Sequence, residues 1–107
     1  MAKNGLIVIL ITAGNAEEAE KISKTLVKRR LAACVNVIPE VSSQFWWQDK
    51  LETAKESLLI VKTKGVLLPE VIKSVKKVHT YSVPEIIALP ISGGNPDYLD
   101  WVDSETI

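Results

Sequence analysis

The fold of this protein is decided by residues 31–64, LAACVNVIPEVSSQFWWQDKLETAKESLLIVKTK. From Leu31 to Gln48 the side chains follow a period of two, and the run is about three times as long as a mean strand. Gln48-Asp49-Lys50 has the composition of a tight turn, after which the chain returns over Leu51–Lys64. These residues predict one long β-hairpin. Pro39 predicts that its first arm is an edge strand or bends at that point.

The segments outside the hairpin supply the rest of a sheet and its helices. The continuous apolar run Leu6–Ile11 predicts a central strand buried on both faces. Asn15 with Glu18 three residues later resembles a capping box, and we expect a helix over Ala16–Arg30. The remaining predicted elements are a second helix from Pro69, a last strand over Pro84–Ile91 and a short helix over Pro96–Val102.

The predicted order of elements, β-α-β-β-α-β, defines the fold class. It is typical of an α+β ferredoxin-like sandwich, in which helices cover one face of a four-stranded antiparallel sheet. Here the sandwich carries a long central hairpin and a short C-terminal helix. A chain of 107 residues has the size of one domain, so we expect residues 1–107 to form a single domain.

Composition and charge argue against several classes of partner. Thirteen basic and thirteen acidic residues cancel, and the basic ones are scattered, which predicts no nucleic-acid partner. The run Leu6–Ile11 is too short to span a bilayer, so no membrane partner is expected. The single cysteine, Cys34, has no internal disulfide partner. A reducing compartment suits such a chain, and we expect a cytoplasmic protein.

The sequence offers no known catalytic spacing. It lacks a glycine-rich phosphate loop, an H-E-x-x-H helix, a C-x-x-C pair and a G-x-S-x-G elbow. We therefore predict that the protein is not an enzyme, has no catalytic residues and requires no cofactor.

The tryptophans predict an assembly. Trp46 and Trp47 are adjacent in the hairpin, so alternation sends them to opposite faces, and only one face can pack on helices of the same chain. An exposed Trp beside Phe45 favours association unless another chain covers it. We expect a homo-oligomer with Trp46, Trp47 and Trp101 at its interfaces. The alternative is a twisted tip on which both rings lie flat against their own strands.

Several segments resemble those of a known family. They occur in the family's order and cover essentially the whole chain: LAACVN at 31–36, WQDKLE at 47–52, LIVKT at 59–63, YSVPEI at 81–86 and NPDYLDW at 95–101. The chain is similar in these segments to the CutA family of divalent-cation tolerance proteins. The resemblance implies a tight homotrimer built through the long strands and the C-terminal segment, with clefts between subunits. It also implies a connection with copper and other divalent metals, and structural kinship with PII signalling proteins.

The chain departs from the family pattern where metal would bind. Members that look equipped for copper carry a cysteine near the end of the first strand and adjacent histidines after the second helix. The corresponding residues here are Ile11, Val78 and His79. A lone imidazole binds copper weakly. In addition, Gly14 and Thr80 stand where prolines are common, and Asp49 stands where glycine is common.

His79 and Cys34 each have a structural and a functional interpretation. His79 could be a metal ligand, or an imidazolium that interacts with the carbonyl groups at the end of the second helix. Cys34 lies in an apolar strand, where a free cysteine behaves as a small buried hydrophobe. A role for Cys34 as a nucleophile would need a neighbouring base or cation.

Lys62 is the best candidate for ligand binding. It shares a strand face with apolar residues, so its ammonium must find a carboxylate or reach a cleft. Glu85 is the first partner to test, ahead of Glu52 and Glu56. Tyr81 and Trp47 could wall such a cleft. The alternatives are an ion pair across the subunit interface and aromatic rings that only fill it.

Three hypotheses of function follow. The first is a CutA-type trimer in divalent metal ion tolerance that binds copper or another cation weakly through His79 and oxygen ligands. The second is a PII-like regulatory trimer that binds a small anionic ligand in the clefts between subunits through Lys62. The third is a scaffold that acts through protein contacts.

Overall fold

The computed structural model describes residues 5–107. Its elements follow the predicted order and end in a third helix. The strands are β1 (Leu6–Ala13), β2 (Cys34–Trp47), β3 (Lys50–Lys64) and β4 (Ile86–Pro90). The helices are α1 (Ala16–Lys28), α2 (Leu68–Val78) and α3 (Pro96–Ser104), and a short 3-10 turn (Gly65–Leu67) leads into α2.

The strands form one antiparallel sheet in the order β2-β3-β1-β4, which confirms the predicted α+β fold with a four-stranded sheet. One face packs against α1 and α2. Ile9 and Val61 are paired neighbours on that face and are fully buried, together with Ile22 of α1 and Val71 and Val75 of α2. Burial of each such side chain stabilises the fold by about 1.5 to 3 kcal/mol.

The hairpin extends beyond the rest of the sheet. β2 and β3 pair as far as Trp47 and Lys50, whereas β1 pairs with β3 only from Ser57 onward. Residues 41–47 and 50–56 therefore form a two-stranded ribbon, about 23 Å long at the usual rise per residue. This ribbon accounts for the 44 Å long axis of the subunit. An isolated two-stranded ribbon is marginally stable in water, so we expect other protein to cover it.

The expectation for Pro39 is confirmed. β2 is an edge strand, and its register with β3 shifts between Ile38 and Val41. The Ser57 hydroxyl donates a hydrogen bond to the Pro39 carbonyl at 2.6 Å. Proline has no N–H to give to a ladder, so a bulge at an edge places it where none is needed.

The first helix ends earlier than predicted. α1 stops at Lys28, and Arg30 adopts a left-handed conformation with φ 56°. The Leu31 N–H donates to the Leu26 carbonyl at 2.9 Å and the Arg30 N–H donates to the Val27 carbonyl at 3.0 Å, which is a Schellman motif. The turn buries Leu31 beside Leu26 in the core, and this burial outweighs the helix propensity of the basic residues.

Two other boundaries differ from the predictions. β4 begins at Ile86, not Pro84, because Ile11–Ile86 is the first pair that it forms with β1. α3 runs on to Ser104, and Glu105 N–H still donates to the Trp101 carbonyl. The predicted cap of α3 is confirmed, because the Asn95 side chain accepts from the Asp97 N–H at 3.1 Å.

We expect Asp49→Gly to stabilise the protein by about 0.5 to 1 kcal/mol. Gln48 and Asp49 form a two-residue loop between the paired Trp47 and Lys50, with φ values of 50° and 63°. Such a loop favours glycine because glycine has no Cβ to oppose positive φ. Urea unfolding at fixed protein concentration measures the change. The control Ser43→Gly, in the extended ribbon, should destabilise, and equal effects of the two substitutions would contradict the prediction.

Candidate functional site

The second face of the sheet is only partly covered. Residues that alternate with the core residues point to this face, and α3 contacts β3 and β1 at one end of it. The remainder, which we call the open face, carries half-buried or exposed apolar side chains: Val8, Leu10, Ile38, Leu58, Ile60, Ile87 and Leu89. Contiguous apolar surface of this kind marks a contact site in soluble proteins.

The aromatic residues predicted at interfaces are exposed in the subunit. Trp46 is 73% exposed and Trp47 is 43% exposed, so neither residue is fully covered by its own chain. Trp101 of α3 is 42% exposed and contacts the Tyr98 ring, with 5.5 Å between their centroids. Their role in an assembly stays a prediction, and their exposure leaves them free to take part in one.

Lys62 lies half-buried on the same side of the sheet. It is flanked by Val8 on β1 and Cys34 on β2, and its ammonium donates to the Asn36 side-chain oxygen. No ion pair of Lys62 occurs within residues 5–107, so Glu85 is not its partner in one subunit. An ion pair across subunits stays a prediction.

Cys34 is the cross-strand neighbour of Lys62. It is the first residue of β2 and is only half-buried, not fully buried as its apolar context predicted. Its thiol lies 3.8 Å from the Asn36 oxygen. Burial raises the pKa of Tyr98, and the nearby Cys34 side chain raises it further. Sequence reasoning missed this Tyr98–Cys34–Asn36–Lys62 cluster because α3 is far from β2 in sequence.

Both ring nitrogens of His79 have hydrogen-bond partners within the subunit. Its side chain is 0% exposed, Nε2 lies 2.7 Å from the Thr12 carbonyl, and the Tyr81 N–H donates to Nδ1 at 3.1 Å. A carbonyl can only accept, so we assign the neutral tautomer with the proton on Nε2. The ring forms a hydrogen bond with the Thr12 carbonyl of β1. The structural interpretation had expected it to interact with the carbonyl groups at the end of α2. Its role as a metal ligand stays a prediction, and it would require Nδ1 to release the Tyr81 amide.

Glu18 joins three segments of the chain. Its carboxylate accepts from the Gly14 N–H and from the Thr80 N–H, each at 2.8 Å, and its own N–H donates to Asn15 at 2.8 Å. It does not close a reciprocal capping box, because it binds the residue before the cap. Gly14 and Thr80 replace prolines expected from the resemblance. Proline has no N–H, so these contacts depend on the residues found here.

The charge of Glu18 is favoured in the fold. Burial alone would raise the pKa of this carboxyl, but the hydrogen bonds from Gly14 and Thr80 lower it below its usual value. A lowered pKa stabilises the fold above the pKa of the unfolded chain. This contribution is lost as the pH falls through the lowered value.

Tyr81 and Glu56 form a second polar contact, which is partly buried. The Tyr81 hydroxyl donates to Glu56 at 2.8 Å, and Glu56 is only 6% exposed. Burial, the bond to Glu56 and the charges of Glu56 and Glu18 raise the pKa of Tyr81 to about 12. Tyr81 therefore remains a protonated donor at neutral pH.

We expect the tyrosines of the folded protein to resist ionisation at pH 10. Both tyrosines have raised pKa values, and that of Tyr81 is about 12. Because the neutral phenol is favoured by the fold, its stabilisation is complete below pH 10 and is lost as the pH approaches 12. Tyrosinate absorbance, followed beside circular dichroism, measures this. Tyr81→Phe should remove the later phase, and a midpoint at the ordinary value in folded protein would contradict the assignment.

The predicted ligand-binding residues are not brought together in one subunit. Ile86 pairs with Ile11 and Lys62 pairs with Val8, so Glu85 lies about 13 Å along the strands from Lys62. Trp47 is at the tip of the ribbon, about 40 Å from Lys62 at the usual rise per residue. Only a neighbouring subunit could combine these side chains in one cleft.

The described residues contain no preformed metal cluster. No group of three or more His, Cys, Asp and Glu side chains is placed to hold a metal ion within residues 5–107. Ile11, at a position where the resemblance expects a cysteine, is fully buried in the core. Val78, where it expects a histidine, is half-buried at the end of α2.

Within residues 5–107, no helix is long and apolar enough to cross a membrane.

These features define a class of protein: a small α+β sandwich in which residues 5–107 cover the second sheet face only in part and leave a two-stranded ribbon that protrudes. The model of the CutA1 divalent ion tolerance protein family matches residues 7–105. The chain belongs to this family.

Relatives and solved structures agree with this assignment. The divalent-cation tolerance protein CutA of Thermus thermophilus is 48% identical over 92% of this chain and 96% of its own length. The chloroplastic CutA 1 of rice is 44% identical over 94% of this chain, which spans 56% of that protein. The chain thus spans about half the length of its plant relatives. A structure of the Thermus protein superposes with a TM-score of 0.92, at 46% identity over 94% of this chain and 98% of its own.

Proposed function

We propose that this chain acts as a homotrimer in divalent metal ion tolerance, in particular toward copper, and that it binds the cation weakly. Family membership supports the metal role. The observation that supports assembly into a trimer is the combination of an uncovered open face and a two-stranded ribbon with Trp46 at its tip. A closed ring of identical subunits is a common way to cover such surfaces.

We expect weak cation binding because of the metal-ligating side chains that the subunit offers. Both His79 nitrogens have partners, and copper prefers imidazole or sulfur ligands that converge on the ion. Carboxylates such as Glu56 and the exposed Glu85 offer oxygen ligands that neighbouring subunits could complete. We propose a binding protein without catalysis, acting in the cytoplasm, with no required cofactor.

Native mass spectrometry and calorimetry test this function. We expect a trimer at micromolar concentration and a small heat with copper or zinc that is reduced in His79→Gln and Glu85→Gln. Glu20→Gln, on the exposed side of α1, is the matched control for Glu85→Gln. A monomer or dimer would contradict the assembly. The absence of heat with millimolar copper and zinc would contradict the metal role.

A second candidate function rests on Lys62. The Lys62 residue is half-buried, its ammonium donates to the Asn36 side-chain oxygen at an exposed position, and it forms no ion pair within residues 5–107. If a neighbour covers this region, the uncompensated cation favours an anion. In this candidate the protein is a PII-like regulatory trimer that binds a small anionic ligand between subunits.

A thermal-shift screen with phosphate, citrate and a nucleoside triphosphate separates the two candidates. A ligand at 100 times its Kd stabilises the folded protein by about 2.7 kcal/mol. We expect this gain to disappear in Lys62→Met and to persist in Lys73→Met, an exposed lysine of α2. A gain that survives Lys62→Met would exclude this site.

A further inference from the structure

The loop of residues 79–85, between α2 and β4, is held at its root by a carboxylate from another element. The Glu18 side chain is 8% exposed, and its Oε2 accepts from the Thr80 N–H while its Oε1 accepts from the Gly14 N–H. The two donors belong to different segments, the loop and the turn between β1 and α1. One side chain therefore ties the loop to the start of the first helix.

Only an ionised carboxylate suits both contacts. Each oxygen of Glu18 faces an N–H donor, and a carboxylate is acceptor-only. Glutamine has the same shape but carries one oxygen and one NH₂ group, so it can accept from one of the two donors and opposes the other. Substitution by glutamine therefore tests the contact without creating a cavity.

The same loop covers a second carboxylate. The Tyr81 ring crosses Gly14, where a Cβ added to the glycine would lie 3.5 Å from the Tyr81 hydroxyl. That hydroxyl ends on Glu56, which is 6% exposed. Tyr81 thus spans from the loop to β3 and lies over the Glu56 carboxylate.

The anchors of the loop are mainly polar. Besides Glu18, His79 bonds to the Thr12 carbonyl and accepts from the Tyr81 N–H. Most loop residues beyond the root are exposed, and Val83 is 69% exposed. A segment with few buried apolar contacts opens locally at a smaller free-energy cost than the core.

We propose that residues 79–85 form a strap that closes over Glu56, and that Glu18 is the latch that keeps the strap closed. When the latch releases Thr80, Tyr81 leaves Glu56 and its carboxylate becomes accessible to cationic groups. Glu18 is a positioning residue, because it acts on Glu56 through the strap. The inference does not depend on the identity of the metal or ligand.

Carbodiimide labelling of carboxylates on the assembled protein, read by peptide mass spectrometry, tests the strap. Loss of a charge-assisted hydrogen bond should raise the open population in Glu18→Gln, and with it the labelling rate of Glu56, about tenfold to a hundredfold. Glu17→Gln is the matched control, because Glu17 is the exposed neighbour in the same helical turn. Labelling of exposed Glu52 should be equal in all variants.

Amide hydrogen exchange distinguishes the role of Glu18, which holds the strap closed, from the role of Tyr81, which covers Glu56. Glu18→Gln should speed exchange at the Thr80 amide, whereas Tyr81→Phe should raise labelling of Glu56 with Thr80 exchange unchanged. Equal labelling of Glu56 in the unmodified protein, Glu18→Gln and Glu17→Gln would overturn the proposal.

The unmodified protein provides an independent check if Glu18→Gln fails to fold. The Thr80 and Tyr81 amides should exchange together, well before the amides of Ile9 and Val61 in the central strands. Exchange of all four amides at one rate would show that the strap opens only by global unfolding, and would overturn the proposal.

Discussion

Ile87→Lys should convert the assembled protein into 11.8 kDa subunits at micromolar concentration. Ile87 is 52% exposed, belongs to the open face and pairs with Leu10 on the neighbouring strand. If the proposed trimer covers this face, the substitution buries an ammonium group without a partner. Such a charge costs about 3 to 5 kcal/mol, which weakens each contact by at least about a hundredfold. In a closed ring every subunit carries the same defect.

The matched control is Val66→Lys. Val66 is also β-branched and apolar but lies in the 3-10 turn outside the open face, where it is 82% exposed. Native mass spectrometry should find this variant assembled like the unmodified protein, and circular dichroism should report its fold. A trimer that persists in Ile87→Lys would refute the assignment of the open face as an interface. If both variants dissociate into subunits, the effect is not specific to the open face, and the interface cannot be located there by this substitution.

Leu59→Ala should lower the free energy of unfolding by about 3 to 5 kcal/mol. Leu59 is fully buried on the helix-facing side of the sheet, and it pairs with Ile11 on one side and Val37 on the other. The substitution removes apolar contacts and leaves a cavity in a close-packed core. Because single domains are stable by only about 5 to 15 kcal/mol, the loss is a large part of the total.

Denaturant unfolding at one fixed protein concentration measures this loss, since assembly contributes to the apparent stability. Val66→Ala is the control, and it should change the free energy by less than about 0.5 kcal/mol because the side chain is exposed. A change of less than about 1 kcal/mol in Leu59→Ala would mean that the core collapses around the missing atoms.

Local patterns predicted the elements of the fold because they act over a few residues. The Asn15 and Asn95 caps, the extended hairpin and the bend at Pro39 all depend on neighbouring backbone groups, and the structure has each of them. The end of α1 was not predictable in this way. Arg30 takes a left-handed conformation because the turn brings Leu31 into a core built by distant strands.

The candidate site depends on contacts between residues far apart in the chain. Glu18 was visible in the sequence as a capping residue, yet its carboxylate binds Thr80, 62 positions away. The sequence predicted that the Lys62 ammonium finds a carboxylate or reaches a cleft, whereas within the subunit the fold provides the Asn36 side-chain oxygen. A signal for Glu18 was the N–H available at Gly14 and Thr80, where the family commonly has prolines.

The sequence by itself determined the order of strands and helices, the long hairpin and the family, because periodicity, caps and motifs are local properties of the chain. Only the tertiary structure decided which polar groups meet: His79 with Thr12, Tyr81 with Glu56, and Glu18 with the strap. Such pairings depend on strand register and on the path of a loop across the sheet. These are set by the packing of the whole core, and no short stretch of sequence contains them.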